Sequence, residues 1–220
     1  MTRFARTVAL TALLSLPLCA QALTGQEASA NASKSIATKP GLHLVLAAGL
    51  TFGGDTIATA SYTDGSSKSI KGGGLAQFGL GASYQFQDTP LALLLSANYH
   101  YHTAAASNGD LTFSRIPVEV LAYYTGVERF RLGGGVRLVN SPETTMTIDG
   151  ATEKITYDKT TGLVAELGYK IASSSWLNFR YVSEKYQGNT YTSTSGTTTS
   201  LASTPELDGS HFGISFAFEF

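Results

Sequence analysis

The sequence predicts an all-β fold, an eight-stranded antiparallel up-and-down transmembrane β-barrel. Three observations favour it: about eight segments alternate apolar and polar residues, their connections alternate between long and short, and no run of about 20 apolar residues follows the N-terminal region. Charged residues make up 14% of the chain, against about 25% in soluble domains. The lack of a long apolar run excludes a helical membrane protein.

The first 22 residues have the pattern of an export signal peptide. Arg3 and Arg6 form a charged start, residues 8–18 an apolar middle, and Ala20-Gln21-Ala22 a small-x-small cleavage site. Removal of both arginines lowers the net charge of −1 by two units. An acidic balance of this kind argues against a nucleic-acid partner.

The cleavage site sets the predicted domain layout. Cys19 could mark a lipoprotein site, but Leu18 before it is bulky for that pattern. Cleavage after Ala22 removes the one Cys of the chain, so no internal disulfide can form. We expect 1–22 to be the signal peptide, 23–40 a flexible periplasmic lead-in, and 41–220 the barrel.

The final segment shows the strand period most clearly. Phe212, Ile214, Phe216, Phe218 and Phe220 alternate with small or polar residues. Such an apolar face and edge would aggregate unless lipid covers the face and another strand pairs with the edge. Similar alternation occupies residues 42–52, 78–86, 91–101, 116–124, 130–138, 163–169 and 177–181. Pro117 cannot donate to a ladder, which predicts a bulge or local break there.

The connections differ in length according to side. Short turns are predicted at residues 87–90, 125–126 and 172–175. Long loops are predicted at about 57–71, 103–110, 140–161 and 187–208, and Asp149-Gly150 is a hairpin signal in the third. An even number of strands with short turns on one side is typical of bacterial outer-membrane barrels with both termini in the periplasm.

The aromatic residues indicate which face meets lipid. A soluble lipocalin-like barrel, with its apolar face inward, is the alternative. Aromatic side chains of the apolar face would, however, form two belts flanking an aliphatic middle, as at two membrane interfaces. The turn-side belt is Tyr84, Phe86, Tyr124, Phe130, Tyr169, Phe218 and Phe220, and the loop-side belt is Phe52, Tyr99, Tyr101, Tyr181 and Phe212.

Charged residues within the strands fall mostly on the opposite face, which predicts an ionic network inside the barrel. An unpaired charge there would cost several kcal/mol, so cross-strand pairs are expected. Candidate pairs join Glu119 to Arg131 or Arg137, and Arg180 to Glu166 or Glu184. The pairs could form a closed plug or line a narrow ion path. The nine residues are Arg115, Glu119, Arg131, Arg137, Glu166, Lys170, Arg180, Glu184 and Glu219.

From residue 41 to Phe220 the chain resembles small bacterial outer-membrane barrels of the OmpA/OmpX and opacity-protein kind. The resemblance lies in the strand pattern and the terminal Phe, and it implies an outer-membrane location in the cell envelope. It also implies that Phe212, Ile214, Phe216, Phe218 and Phe220 form the signal recognised by the barrel assembly machinery. Expected partners are that machinery, periplasmic chaperones, outer-membrane lipid and lipopolysaccharide, with a monomeric barrel and no peptidoglycan-binding domain after Phe220.

Motifs for catalysis or metal binding are weak. His100-x-His102 could bind metal from a strand, but further ligands would have to come from distant strands. Ser210 and His211 are adjacent on one strand and point to opposite faces, so they cannot act as a catalytic pair. Gly72–Gly74 and Gly133–Gly135 lack the helix and Lys of a phosphate loop, and we interpret both as strand glycines.

The predicted function is a non-enzymatic barrel without cofactor or metal, whose surface loops serve adhesion, recognition or envelope integrity. A narrow porin-like channel for ions or small solutes is the alternative. A lipid-modifying enzyme is a third possibility.

Overall fold

A computed structural model describes residues 39–61, 65–106 and 109–220. The predicted signal peptide and residues 23–38 of the lead-in lie outside the described residues. Within these ranges no helix is long and apolar enough to cross a membrane. The strands are β1 Gly41–Gly53, β2 Thr56–Ser61, β3 Ser67–Lys71, β4 Leu75–Gln85, β5 Leu91–Ala106, β6 Gly109–Val127, β7 Phe130–Ile148, β8 Ala151–Tyr157, β9 Thr160–Ala172, β10 Ser175–Ser183, β11 Lys185–Tyr186, β12 Gly188–Thr192, β13 Thr198–Ser200, β14 Leu207–Asp208 and β15 His211–Glu219.

Eight of these strands close an antiparallel barrel, which confirms the predicted fold class. The order around the wall is β7, β6, β5, β4, β1, β15, β10 and β9, and pairing of β9 with β7 closes the ring. The last strand, β15, pairs with β1 on one side and β10 on the other, as predicted. The eight predicted segments coincide with these strands, except that Phe86 and Phe220 each lie one residue beyond a strand end.

The strands are staggered. A path that follows paired residues from strand to strand around the barrel therefore does not return to the residue at which it started. A path that starts at Gly41 returns to β1 at Thr51, ten residues further along. Such a stagger requires tilted strands and brings distant sequence positions to one depth of the lumen. The path runs through Gly41, Gln85, Ala92, Tyr123, Gly133, Glu166, Arg180, Gly213 and Thr51.

Exposure alternates along every barrel strand. In β15 every second residue from Phe212 to Phe218 is exposed. The alternate residues, from His211 to Glu219, are buried. The exposed face is aliphatic in its middle and aromatic towards both ends. An outer surface of this kind is suited to lipid, whereas the buried face carries the polar residues.

The connections at one end of the barrel are short and those at the other end are long, as predicted, although one short turn lies at a different position. Residues between Gln85 and Leu91 and between Ala172 and Ser175 form short turns. The turn predicted at residues 125–126 is wrong. Strand β6 continues to Val127, where Val127 pairs with Phe130, and a bulge between Tyr124 and Val127 takes up Thr125 and Gly126. Arg129 turns the chain instead, with φ 62°.

Two long connections are more regular than expected. The loop predicted at 103–110 is wrong for most of its length, because β5 continues to Ala106 and β6 begins at Gly109. Ala104 and Leu111 are buried there, and the Thr103 and Thr112 hydroxyls bond across the strands at 3.0 Å. The hairpin at Asp149-Gly150 is confirmed by the pairing of Ile148 with Ala151 and by positive φ at both turn residues.

Strands extend beyond the barrel on its loop side. The outer part of β7 pairs with β8, β8 with β12, and β12 with β13. We refer to residues 143–148 of β7 together with β8, β12 and β13 as the extracellular arm. Near Pro117 the register shifts by one residue, between Ser114 and Ile116, which places the predicted irregularity beside the proline.

Gly72–Gly74 do not lie in a strand, contrary to the prediction. They connect β3 to β4, where backbones approach one another closely. A Cβ on Gly73 would lie 2.5 Å from His211 Cβ, and one on Gly54 would lie 2.5 Å from the Gly73 nitrogen. Glycine therefore allows the β2–β3 hairpin to fold against the barrel mouth. Gly133–Gly135 do lie in β7, as predicted.

Candidate functional site

The nine charged residues singled out from the sequence are all buried, with exposed fractions of 0–7%. Strands β6, β7, β9, β10 and β15 supply eight of them, and Glu184 follows β10 directly. Their side chains are inward because they alternate with lipid-facing residues on strands whose period is two. The lumen is therefore filled by charged side chains.

Eight of the nine form one continuous series in which acid and base alternate, which we call the ion-pair chain. It begins at Glu219 near the periplasmic end and ends at Arg115 near the extracellular end. The links are Glu219–Arg131 (2.8 Å), Arg131–Glu166 (3.7 Å), Glu166–Arg180 (3.6 Å), Arg180–Glu119 (2.7 Å), Glu119–Arg137 (3.0 Å), Arg137–Glu184 (3.0 Å) and Glu184–Arg115 (3.7 Å).

Of the pairs considered from the sequence, Glu119 contacts Arg137, and Arg180 contacts Glu166. Arg180 also contacts Glu119, a partner from a strand that is not its neighbour. Every member of the ion-pair chain except its two end residues therefore has two oppositely charged partners. This matters because a buried charge deprived of a partner destabilises a protein by about 3–5 kcal/mol.

Aromatic rings stabilise the periplasmic end of the chain. The Arg131 guanidinium lies 4.4 Å from the Tyr123 ring centroid and 4.3 Å from that of Trp176. Lys170, the ninth charged residue, also contacts this tryptophan, with its Nζ 4.9 Å from the centroid of the Trp176 ring. Tyr123 donates a hydrogen bond of 2.8 Å to Glu166. Ring faces are favourable for cations that have been removed from water.

The extracellular end is closed by an apolar cluster, which we call the apolar cap. Arg115 lies 4.9 Å from the Phe113 ring and 5.7 Å from the Tyr186 ring, so the cap begins where the ion-pair chain ends. Tyr186 donates to Glu184 at 2.5 Å. The cap consists of Ile70, Ala104, Leu111, Phe113, Val139, Tyr157 and Tyr186.

Histidines near the cap pack among the charges. His100 Nδ1 lies 3.1 Å from Arg137 Nη2, and its Nε2 lies 2.7 Å from the Thr51 hydroxyl. His100 Nε2 also lies 3.3 Å from Arg115 Nη2, so each ring nitrogen faces an arginine, which can only donate. His102 Nδ1 accepts from the Lys71 amide at 3.1 Å. Among the described residues there is no group of three or more His, Cys, Asp or Glu side chains that could hold a metal ion.

Ser210 and His211 make separate contacts. The His211 ring bonds through Nδ1 to the Gly209 carbonyl at 2.8 Å, and the Ser210 hydroxyl lies 3.3 Å from the Glu184 amide. Ser210 therefore has no activating base in its neighbour.

Several ionisable groups outside the membrane-spanning segments have a shifted pKa, among them Tyr191, whose pKa is raised by its hydrogen bond to Glu153. Burial raises the pKa of Tyr186 and of Tyr157, so both hydroxyls stay protonated at neutral pH. Hydrogen bonds from Ser210 lower the pKa of Asp208. Asp208 remains an acceptor that fixes the start of β15, through the Ser210 amide at 2.9 Å.

Little space remains in the middle of the lumen. The cavity beside Glu119, Arg131 and Arg180 has a volume of about 30 Å³. A cavity of this size admits only a few water molecules. A wider cup of about 360 Å³ lies at the periplasmic mouth and is bounded below by Lys170 and Trp176.

The five residues of the suggested assembly signal all face outward. Their exposed fractions run from 44% for Ile214 to 70% for Phe220. Phe220 also forms two main-chain hydrogen bonds with Leu44 of β1, at 2.9 and 3.2 Å. The last residue thus contributes both to the lipid-facing surface and to closure of the barrel.

The sequence did not single out the aromatic partners of the charges. Tyr123, Trp176, Phe113 and Tyr186 each contact an arginine of the ion-pair chain. Their inward position on the strand period was an available signal for Tyr123 and Trp176. Tyr186 lies in a segment whose polar composition hides its buried position.

A closed eight-stranded barrel with an apolar outer band, two aromatic ends and a charged, filled lumen is the architecture of a small bacterial outer-membrane barrel protein, and the outer membrane is its location. No family model and no curated protein matches the sequence.

Solved structures show the same fold at low sequence identity. The attachment invasion locus protein Ail of Yersinia pestis is 13% identical, over 83% of this chain and 100% of that chain, with a TM-score of 0.50. Ail in complex with the heparin analogue sucrose octasulfate gives 11% identity, 81% and 97% coverage, and a TM-score of 0.50. Neisserial surface protein A gives 12% identity, 81% and 97% coverage, and a TM-score of 0.47.

Proposed function

We propose that the protein is a non-enzymatic outer-membrane barrel whose extracellular arm and connections recognise or attach to other surfaces. The observation that carries the proposal is the contrast between its two halves. The lumen is filled by the ion-pair chain and closed by the apolar cap, whereas the loop side carries an exposed, ordered sheet. Binding residues are commonly placed on connections held by a rigid scaffold.

The surface of the arm is polar and suited to contacts with water-soluble groups. Cross-strand hydroxyl pairs recur on it, as between Thr156 and Thr190 at 2.7 Å and between Thr147 and Thr152 at 3.3 Å. No charged residue occurs from Gln187 to Pro205. Such a surface resists nonspecific apolar association and can present donors and acceptors in fixed positions.

The charge of the loop side bears on the kind of ligand. Among the described residues, eight acidic and five basic side chains lie in the connections beyond the loop-side aromatic belt, with Glu184 of the lumen left out. An excess of acids disfavours polyanions such as the sulfated compound bound by Ail. The acids are Asp55, Asp110, Glu143, Asp149, Glu153, Asp158, Glu206 and Asp208, and the bases are Lys68, Lys71, Lys154, Lys159 and Lys185.

Attachment is tested with the protein displayed on a non-adherent bacterial strain. We expect display to increase binding to host-cell monolayers several-fold, and shortening of the arm to remove the increase. Replacement of residues 145–154 by Asn-Gly joins the paired residues Thr144 and Ile155 by a two-residue turn. Replacement of residues 191–199 does the same for Thr190 and Ser200.

Each shortened protein must reach the surface and show heat-modifiable gel migration like the unchanged chain. The exposed substitution Glu206→Ala serves as the control that leaves the arm in place. Equal binding by displayed and non-displayed cells would contradict the proposal, as would full binding by both shortened proteins.

The channel alternative is tested in planar bilayers. We expect no conductance steps from the unchanged protein, because the cavity in the middle of the lumen, of about 30 Å³, has room for only a few water molecules. Steady conductance that disappears or rises sharply in Arg131→Ala or Arg180→Ala would instead support a narrow channel. For lipid-modifying activity, the mass spectrum of lipid A should be unchanged by overexpression.

A further inference from the structure

A polar cleft of about 380 Å³ opens on the loop side, where β8 leads back into barrel strand β9. Its volume lies within the usual range of small-molecule sites. The cleft lies outside the lumen and takes no part in the ion-pair chain. Its polar lining comes from Ser141, Glu143, Thr156, Asp158, Lys159 and Asn189.

Two β-bulges shape this cleft from opposite sides. On β7, Ser141 and Pro142 together lie opposite the single residue Arg115, and Ser141 has φ 48°. On β12, Asn189 is the extra residue between Gly188 and Thr190. Bulges redirect side chains and are frequent at barrel rims and beside binding sites. A non-glycine residue at positive φ is a second local irregularity in the same place.

The bulged Asn189 is held in position by a carboxylate. Its Nδ2 donates to Asp158 Oδ1 at 2.5 Å, and the Asp158 amide donates to the Gln187 carbonyl at 3.0 Å. Considering the described residues alone, Asn189 Oδ1, Asp158 Oδ2 and the Ser141 hydroxyl have no hydrogen-bond partner from the protein. The cleft therefore presents acceptors and a hydroxyl that can act as donor or acceptor.

The charges around the cleft balance. Glu143 is paired with Lys154 at 3.1 Å, and Asp158 is followed by Lys159. Two carboxylates among two ammonium groups select neither a strongly anionic nor a strongly cationic ligand. A sulfate or phosphate group would meet the acceptors of Asp158 and Asn189, which disfavours it.

The wall behind the cleft is rigid. Tyr157 belongs to both the cleft and the apolar cap, and its ring meets those of Phe113 and Tyr186 at 5.7 and 6.1 Å. Its hydroxyl lies 3.2 Å from that of Thr144. A site supported in this way loses little conformational freedom when a ligand binds.

We propose that this cleft binds a neutral, hydroxyl-rich saccharide. Each sugar hydroxyl can donate to a carboxylate or amide oxygen and accept from a hydroxyl or ammonium group, which matches the mixture in the cleft. The inference rests on the proposed function and specifies its ligand class. Asp158 and Asn189 make the central contacts, and Ser141 and Lys159 lie at the rim.

The test uses the full mature chain folded in detergent and an array of neutral, sialylated and sulfated oligosaccharides. The neutral oligosaccharide with the strongest signal is then titrated by calorimetry. We expect Asp158→Ala with Asn189→Ala to weaken its binding at least tenfold and Glu206→Ala to leave it unchanged. Sucrose octasulfate at the same concentration should not displace it.

The single change Asp158→Asn keeps the size of the side chain and should weaken binding less than Asp158→Ala. Complete loss with Asp158→Asn would show that binding depends on the negative charge rather than on a hydrogen-bond acceptor at this position, and it would overturn the proposal. Absence of binding to every neutral oligosaccharide, unchanged affinity in the double variant, or displacement by sucrose octasulfate would also overturn it. Both substituted positions are exposed, and heat-modifiable migration verifies that each variant is folded.

Whole cells separate this inference from the proposed function. If the shortened arms abolish attachment while the double variant attaches normally, the saccharide site is wrong and the attachment function stands. If displayed protein never promotes attachment but the purified protein binds a neutral saccharide through Asp158 and Asn189, the attachment function is wrong and the site stands.

Discussion

Arg180 contacts Glu119 across the lumen, with Nη2 2.7 Å from Oε2, although β7 and β9 separate β10 from β6 on the wall. A pair of this kind cannot form in an isolated hairpin. It requires the closed barrel, because closure brings the two strands face to face. Glu119 also accepts from Arg137 at 3.0 Å, so one carboxylate balances two guanidinium groups.

We predict that Glu119→Gln lowers the free energy of unfolding by about 3–5 kcal/mol, because it leaves two buried arginines without that charge. Urea-induced unfolding of the protein in detergent measures this change. The matched control is Glu206→Gln, whose partner Lys185 is exposed, and its effect should stay below about 1 kcal/mol. An equal loss of unfolding free energy in the two variants would show that the lumen carboxylate stabilises the protein no more than an exposed one does.

We predict that Tyr186→Phe lowers the free energy of unfolding by about 1.5–3 kcal/mol, because the ring stays and only the hydrogen bond to the Glu184 carboxylate is lost. Tyr191→Phe is the control, because it removes a tyrosine–carboxylate hydrogen bond, to Glu153, that lies in the half-exposed arm rather than in the lumen. The same unfolding experiment compares both. A value for Tyr186→Phe within the error of the control would contradict the role of this bond in joining the cap to the ion-pair chain.

We predict that lipids with brominated acyl chains quench the fluorescence of Trp176 only weakly. Trp176 is the only Trp of the chain and is 4% exposed, inside the wall between Arg131 and Lys170. The comparison is Trp176→Phe combined with Phe179→Trp, which moves the indole to a lipid-facing position on the same strand. Stronger quenching of Trp176 than of the moved Trp would mean that the two faces are assigned the wrong way round.

We predict that deletion of Phe220 reduces the amount of protein assembled in the outer membrane more than any shortening of the arm. The deletion removes a lipid-facing ring and two hydrogen bonds to Leu44. Phe220→Ala keeps the main-chain bonds, so comparison of the two variants separates the ring from the backbone. Membrane fractionation with heat-modifiable migration measures assembly, and normal levels of the deletion variant would refute the prediction.

The barrel could be predicted from the sequence because its strands repeat a two-residue period along an entire membrane span. The inward position of residues such as Arg131 and Glu166 follows from that period alone. The partner of Arg180 on β6 does not, because it depends on the ten-residue stagger and on which side chains can cross the lumen.

The loop side was harder to predict for a different reason. Residues 103–106 and 109–110 are small or polar, yet they continue β5 and β6 because Ala104 and Leu111 pack in the apolar cap. The Asp158–Asn189 contact depends on a bulge at Asn189, and a second bulge at Ser141 and Pro142 shapes the other side of the cleft, neither of which has a local sequence motif. Only the Asp149-Gly150 turn had a strong local signal there.

The apolar cap has a consequence for how this protein can change. All four extracellular connections contribute to it or pack on it, through Ile70, Ala104 and Leu111, Tyr157, and Tyr186. The four loops are therefore not structurally independent of one another, because they share one hydrophobic cluster. Transplanting one of them into another barrel would leave part of a shared core behind, and sequence drift in one loop is constrained by its three neighbours. Diversification of the outer surface is thus easiest at the exposed residues beside the arm tips, whereas Gly150 and Gly196 themselves, with φ of 82° and 83°, favour glycine.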